Sequence, residues 1–288
     1  MTRLHRTRLQ TRLDALRSAG RKALVPFVTA GDPALDATVP VMHALAQAGA
    51  DVIELGVAFS DPMADGPVIQ RSSERALARG AGTAYVLDCV RSFREVDVDT
   101  PVVLMGYLNP VEIRGAAAFA SAAAGAGVDG VLLVDLPPEE AGEYRAAFAH
   151  HGVVLISLAS PTTPDARLQR LSEQSDGYLY YVSFAGVTGA DRLDVGDAGL
   201  RLEQLRTMGS MPVFAGFGIR DAASAAAMAQ HADGVVVGSA LVATLDGSVD
   251  EAEAARRAGE FLRPLRLALD ELAVAPELDC ETVIPAKA

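Results

Sequence analysis

Apolar residues along this chain come in short unbroken blocks, each followed by a polar or glycine-rich stretch and then an alanine-rich segment. Eight such blocks stand out: ALVPFVT (23–29), DVIELG (51–56), PVVLMGY (101–107), DGVLLVD (129–135), GVVLISLAS (152–160), GYLYYVS (177–183), PVFAGFG (212–218) and DGVVVGS (233–239). A strand with one wet face alternates apolar and polar residues. Continuous apolar runs predict strands covered on both faces, as in a parallel sheet wrapped by helices. The intervening segments have helical spacing. Between 36 and 50, Val39, Met42, Leu45 and Ala46 fall on one face, and the segments containing AAAFASAAAGAGV, EEAGEYRAAFAHHG and DAASAAAMAQHA behave alike. Gly49, Gly127 and Gly152 sit near predicted helix ends, where a left-handed cap carries no Cβ penalty. GAD, GVD and HAD precede the second, fourth and eighth runs as a repeated helix-to-strand punctuation.

Eight strand–helix units predict an α/β chain folded as a (β/α)8 TIM barrel. An open doubly wound sheet is the alternative, but TAGDP rather than GxGxxG follows the first run. The first 20 residues predict an extra amphipathic helix with Leu4, Leu9, Leu13 and Leu16 as its apolar positions, covering the N-terminal mouth of the barrel. Residues 1–275 are expected to form a single barrel domain. Residues 276–288 have little packing pattern and are expected to be a flexible tail.

Composition narrows the class of partner. Of 288 residues, 50% are hydrophobic, enough for a large core, and 25 Lys and Arg against 37 Asp and Glu give a net charge of -12. Such acidity repels nucleic-acid backbones and anionic membranes. It does not exclude small phosphorylated ligands, which backbone N–H groups can hold. Cys89 and Cys280 are too far apart in sequence to suggest a disulfide framework. The basic start lacks the apolar core of a signal peptide, and no run is long enough to span a bilayer, so a cytoplasmic location is expected. CxxC, HExxH and P-loop lysine motifs are absent. The adjacent His150 and His151 read as a helix end, where partial positive charge is favoured, and not as a metal site.

The unusual residues gather at the predicted C-terminal ends of strands, where barrels of this type place their chemistry. Glu54 lies among Val52, Ile53, Leu55 and Val57, and a carboxylate so placed is either paired or working. Partial dehydration raises its proton affinity toward neutral pH, as acid–base work requires. Asp65 follows 11 positions later in a loop long enough to fold back over the mouth. Asp65 also suits a turn or cap before Gly66–Pro67, Asp61 suits a turn beside Pro62, and Asp135 either caps the following helix or lines the pocket. Gly189, Gly218, and Gly238 with Ser239 occupy the last three strand ends and read together as a phosphate site, with Ser239 opening a short helix after strand eight. Tyr180 is a candidate hydrogen-bond donor beside Glu54; Phe27, Phe59, Tyr107, Tyr178, Tyr181 and Phe217 are core or rim aromatics.

PFVTAGDP, IELGVAFSDPMADGP, MGYLNP, VLLVDLPPEE, AGVTG, GFGI and GSALV occur in this order over roughly residues 20 to 245. This set resembles the tryptophan synthase alpha chain family, and the run from Glu54 to Pro67 is its most specific part. The resemblance implies a barrel lyase that splits indole-3-glycerol phosphate into indole and glyceraldehyde 3-phosphate with no cofactor of its own. It also implies a beta-chain partner in an alpha2beta2 heterotetramer, and pyridoxal phosphate belongs to that partner. By matched motif, Glu54 is the family's catalytic glutamate, Asp65 its catalytic aspartate and Tyr180 its active-site tyrosine. Gly189, Gly218, Gly238 and Ser239 match its phosphate positions. Phe27, Leu104 and Phe217 are expected to border the indole ring, and Thr188 to contact Asp65 when the following segment closes as a lid.

Two departures stand out. Ala58 replaces a proline usual in the family, and Ser183–Phe184 stands where many members have serine–arginine. Ala58 frees a dihedral that proline would fix. Both changes fall in the loops expected to signal to the beta chain, so two other functions stay open. One is a self-sufficient lyase that releases free indole; the other is a non-enzymatic activator of a beta chain.

Overall fold

The computed structural model describes residues 6–174, 176–182, 195–216 and 218–274. In chain order the elements are α1 (Arg8–Ser18), β1 (Ala23–Thr29), α2 (Thr38–Gln47), β2 (Ile53–Gly56), α3 (Pro67–Ala78), α4 (Thr83–Arg94), β3 (Val102–Gly106), α5 (Leu108–Arg114), α6 (Ala116–Ala126) and β4 (Gly130–Leu133). There follow α7 (Gly142–His150), β5 (Val154–Ala159), α8 (Asp165–Gln174), β6 (Leu179–Tyr181), α9 (Val195–Met208), β7 (Val213–Ala215), α10 (Ala222–Ala229), β8 (Gly234–Val237), α11 (Ser239–Leu245) and α12 (Glu251–Val274). The eight strands close in sequence order, and every neighbouring pair is parallel. All eight apolar runs therefore supply strands, and the expected barrel is the fold.

Closure explains why the runs lack alternation. Successive strand residues face opposite sides, yet both sides are dry. Ala23, Val25, Val103, Leu132, Val154, Ile156, Tyr178, Tyr180, Phe214 and Val236 pack together in the barrel interior. Their sequence neighbours, among them Leu24, Ile53, Leu55, Leu104, Val131, Leu179 and Val235, pack in the shell shared with the helices. Leu9, Leu13 and Leu16 of α1 join the interior group, so this helix stoppers the N-terminal mouth as expected. Leu4 and the tail 276–288 lie outside the described residues.

The GAD, GVD and HAD punctuation has a definite structural role. Asp51, Asp129 and Asp233 each accept a backbone N–H from the start of the preceding strand: Leu24 at 2.9 Å, Val102 at 2.8 Å and Val213 at 3.0 Å. Each carboxylate also holds an arginine, Arg266 at 2.8 Å, Arg94 at 2.8 Å and Arg206 at 3.0 Å respectively. Three neighbouring strand pairs are thus clamped at the N-terminal rim, opposite the C-terminal strand ends.

Candidate active site

Glu54 sits on β2 in register with Phe27 of β1 and Val103 of β3, with no solvent exposure. The Tyr178 hydroxyl donates to its Oε1 at 2.7 Å, and its Oε2 is buried with no hydrogen-bond partner among the described residues. Burial disfavours the charged form and pushes the carboxyl up to about 7; the Tyr178 bond opposes that shift in part. This is the poise a group needs to give and take a proton near neutral pH. Tyr178 is itself fixed by stacking on Phe214, with ring centroids 4.3 Å apart.

Asp65 lies in the loop between β2 and α3. The Tyr107 hydroxyl donates to Asp65 Oδ2 at 3.1 Å and accepts the backbone N–H of Ala64 at 3.0 Å. Burial raises the Asp65 carboxyl above its ordinary range, with the Tyr107 bond pulling the other way. Phe59 stacks on Tyr107 at 5.1 Å and backs that phenol. Phe27, Gly56, Val57, Asp65, Ile69, Met105, Tyr107 and Val134 line a narrow cleft at this mouth of the barrel. A wider cleft of about 960 Å³, counting its open side, lies at the opposite mouth among Arg17, Lys22, Met211 and Phe214. Neither Glu54 nor Asp65 lines it.

Two glycines make the packing around the pair possible. A Cβ on Gly56 would stand 2.6 Å from the Phe27 ring, and one on Gly216 would stand 2.1 Å from the Tyr180 hydroxyl. Both aromatic rings lie directly over bare backbone. Tyr180 is buried, and burial together with the charges of Glu54 and Asp65 raises its phenol well above the ordinary value. It therefore lies within the field of both carboxylates. Among the described residues, however, the hydrogen-bond donor to Glu54 is Tyr178, not Tyr180 as expected. Both tyrosines face inward, Tyr180 from β6 and Tyr178 from the residue just before it. Which one meets a residue on β2 depends on the stagger of strands around the barrel, and that stagger has no signature within a single run.

Leu104 also departs from expectation. It packs in the shell between strands and helices, and its neighbour Met105 lines the cleft. Asp135 neither caps the helix after it nor fills the cleft: it accepts the Leu108 N–H at 2.8 Å and so caps α5, which follows the preceding strand. Asp61 is exposed and accepts the neighbouring Ser60 hydroxyl at 2.6 Å, in keeping with a turn. His150 closes α7 and His151 is its C-cap.

Gly218 follows β7 with φ +68°, a left-handed conformation suited to glycine. Gly238 is the N-cap of α11 and Ser239 is its first residue. A Cβ on Gly238 would meet Phe27 at 3.6 Å and Ile69 at 3.8 Å, ordinary contact distances. Packing inside the chain thus leaves room at Gly238 that a bound group can use. Gly189, Thr188, Phe217 and the Ser183–Phe184 pair lie outside the described residues.

Comparison with known proteins agrees with this geometry. The family model described as "Tryptophan synthase alpha chain" matches residues 13–268. The tryptophan synthase alpha chain of Xanthomonas campestris pv. campestris (strain 8004) is 67% identical over 264 residues, covering 91% of this chain and 97% of that one. That of Xanthomonas euvesicatoria pv. vesicatoria (strain 85-10) is 69% identical over 257 residues, covering 89% and 96%. Among solved structures, tryptophan synthase subunit alpha from Legionella pneumophila str. Paris superposes with a TM-score of 0.86 at 44% identity, covering 92% of this chain and 99% of that chain. A tryptophan synthase from M. tuberculosis in its aminoacrylate-bound form gives a TM-score of 0.81 at 34% identity, covering 92% and 100%. With the buried glutamate of β2 and the aspartate of the next loop in place on a closed barrel, the chain belongs to the tryptophan synthase alpha chain family.

Proposed function

We propose that Glu54 and Asp65 divide the work of the reaction that family membership assigns to this chain: cleavage of indole-3-glycerol phosphate to indole and glyceraldehyde 3-phosphate. The observation that carries this reading is the state of Glu54. It is fully buried, bonded through one oxygen, without a partner among the described residues at the other, and poised at about 7.

The chemistry asks for such a group. Protonation of indole C3 makes that carbon tetrahedral and places positive charge on the ring nitrogen. Loss of the adjacent hydroxyl proton then drives cleavage of the bond between C3 and the glycerol chain. The electron pair returns to the ring, leaving indole and an aldehyde. Protonated Glu54 supplies the proton to C3, and its carboxylate takes the hydroxyl proton, so one group ends as it began. Asp65 accepts a hydrogen bond from the ring N–H. Its interaction strengthens as charge develops on that nitrogen, so it favours the transition state over the ground state. Phe27, Met105 and Val134 offer an apolar border for the flat ring. Gly218, Gly238 and Ser239 supply backbone and hydroxyl donors for the phosphate.

A beta chain is the expected partner, since the family is defined as the alpha chain of a synthase. Met63, 82% exposed in the Asp65 loop, and Ile113, 83% exposed on α5, put apolar surface on the reactive face, as a docking site would.

Indole release from indole-3-glycerol phosphate by the purified chain, with and without a tryptophan synthase beta chain, tests the reading. Weak turnover, raised about 10-fold or more by the partner and abolished by Glu54→Gln, is expected. Full turnover that ignores the partner would instead indicate a self-sufficient indole-releasing enzyme. No turnover under either condition would remove the lyase assignment.

A further inference from the structure

The Pro62–Asp65 turn that presents Asp65 has little apolar anchorage of its own. Met63 and Ala64 are exposed. Its backbone bonds are short-range turn bonds, Met63 N–H to the Asp61 carbonyl at 2.9 Å and Asp65 N–H to the Pro62 carbonyl at 3.1 Å. Yet Asp65 has to be placed to within a fraction of an ångström if it is to meet charge on a bound ring.

Among the described residues, two side chains from outside the turn hydrogen-bond to it. One is Tyr107. The other is Gln70, in the second turn of α3, which donates from Nε2 to the Asp65 carbonyl at 2.8 Å and to the Pro62 carbonyl at 3.4 Å. One amide nitrogen thus closes both ends of the Pro62–Asp65 turn. Two carbonyl acceptors require the nitrogen end of the amide to face them, which fixes its orientation. Gln70 is itself held firmly. Its backbone N–H bonds to the Gly66 carbonyl at 3.0 Å. Further along α3, Ser72 shares a 2.6 Å hydroxyl bond with Thr29 of β1, and Arg75 forms a bidentate pair with buried Asp32 at 2.8 and 2.7 Å. Position passes from β1 through α3 and Gln70 to the turn that presents Asp65.

We propose that Gln70 is a positioning residue for the lyase reaction, holding the Pro62–Asp65 turn so that the Asp65 carboxylate stays at Tyr107 and beside the substrate ring. This rests on the assignment of Asp65 made above. A glutamate at position 70 has the same shape but sets a carboxylate against two carbonyl oxygens, and it regains a donor only when protonated.

The test is steady-state cleavage of indole-3-glycerol phosphate by the full chain carrying Gln70→Met or Gln70→Glu, each in the Asp65 and the Asp65→Asn backgrounds. Gln70→Met is expected to lower kcat about 10-fold with KM changed less than about twofold. In the Asp65→Asn background the same substitution is expected to cost less than about twofold, because its route to the chemistry has already been removed. Gln70→Glu is expected to lose more than Gln70→Met at pH 8 and to recover, relative to the unmodified chain, as pH falls. Unchanged kcat in Gln70→Met, equal losses in both backgrounds, or a loss confined to KM would overturn the proposal. Those outcomes leave the lyase assignment standing. Absence of turnover in the unmodified chain would overturn that assignment and this proposal together.

Discussion

On the proposed mechanism, Glu54 concentrates the chemistry in one carboxyl group. Its proton affinity is raised in the folded chain, to about 7, against an ordinary 4.5. The folded state therefore holds a proton that the unfolded chain has released between those two pH values. Stability falls as pH rises through that window and levels off above about 7. Glu54→Gln, which cannot ionise, is predicted to gain roughly 2 kcal/mol of stability relative to the unmodified chain between pH 5 and pH 8. Paired urea titrations at the two pH values would check this; an equal difference at both would mean that burial does not shift Glu54. Tyr178→Phe removes the one hydrogen-bond donor to the carboxylate among the described residues. It is predicted to move the Glu54 titration further up, by about one pH unit for a hydrogen bond to a charged group. Tyr180→Phe is predicted to shift it less, since among the described residues the bond to Glu54 comes from Tyr178. Glu54 was legible in the sequence because a carboxylate inside an apolar run is conspicuous. Tyr178 was not, because two inward tyrosines in one run look alike until the barrel closes. Leu104 and Met105 pose the same problem: in a run with two dry faces, hydrophobicity does not tell inside from outside.

At the scale of elements, the sequence showed the units more clearly than the ties between them. All eight strands and the stopper helix α1 follow from continuous runs and leucine spacing. The repeated aspartate before strands was visible as punctuation, but its bond to the preceding strand was not, since that contact joins residues 27, 27 and 20 positions apart. Asp135 misleads for the same reason, capping a helix that precedes it in sequence. These clamps carry a stability prediction. Asp129 is 5% exposed and holds Arg94, Arg8 and the Val102 N–H. Asp129→Ala removes the carboxylate from the half-buried Arg94 guanidinium, which keeps the Gly127, Asp97 and Thr100 carbonyls, and leaves the buried Val102 N–H without its acceptor; it is predicted to cost about 3 kcal/mol. Asp88→Ala, removing an exposed carboxylate on α4 whose side chain is 70% accessible, is predicted to change stability by less than about 0.5 kcal/mol. Equal costs for the two in chemical denaturation would show that the rim clamps contribute nothing special.

At the scale of the whole molecule, the three aspartate clamps and the Glu54–Asp65 pair occupy opposite mouths of one barrel. The clamps and the α1 stopper close the N-terminal side; the carboxylate pair, glycine-bearing strand ends, exposed Met63 and Ile113, and the Arg75–Asp32 pair lie on the other. On the proposed function, that second face is where a partner would act. Ala58, where the family usually has proline, packs with Ala76 and Ala81 at the base of the Asp65 loop. Ala58→Pro is predicted to restrict the loop and change the degree of activation by a beta chain more than the rate of the chain alone. Met63→Glu is predicted to weaken beta-chain association about 10-fold or more while leaving solitary turnover within about twofold. Titration of the beta chain against indole release separates the two effects.

The most direct test of the account is the titration of Glu54 itself. Carbon-13 NMR of the glutamate side-chain carboxyls across pH 4 to 9, with Glu54→Gln to identify the signal, reads the group without reference to rate. A midpoint near 7 is predicted, as a buried carboxyl working as both acid and base requires. A midpoint near the ordinary 4.5 would contradict the account, because a carboxyl fully ionised at neutral pH could not supply the proton that begins the cleavage.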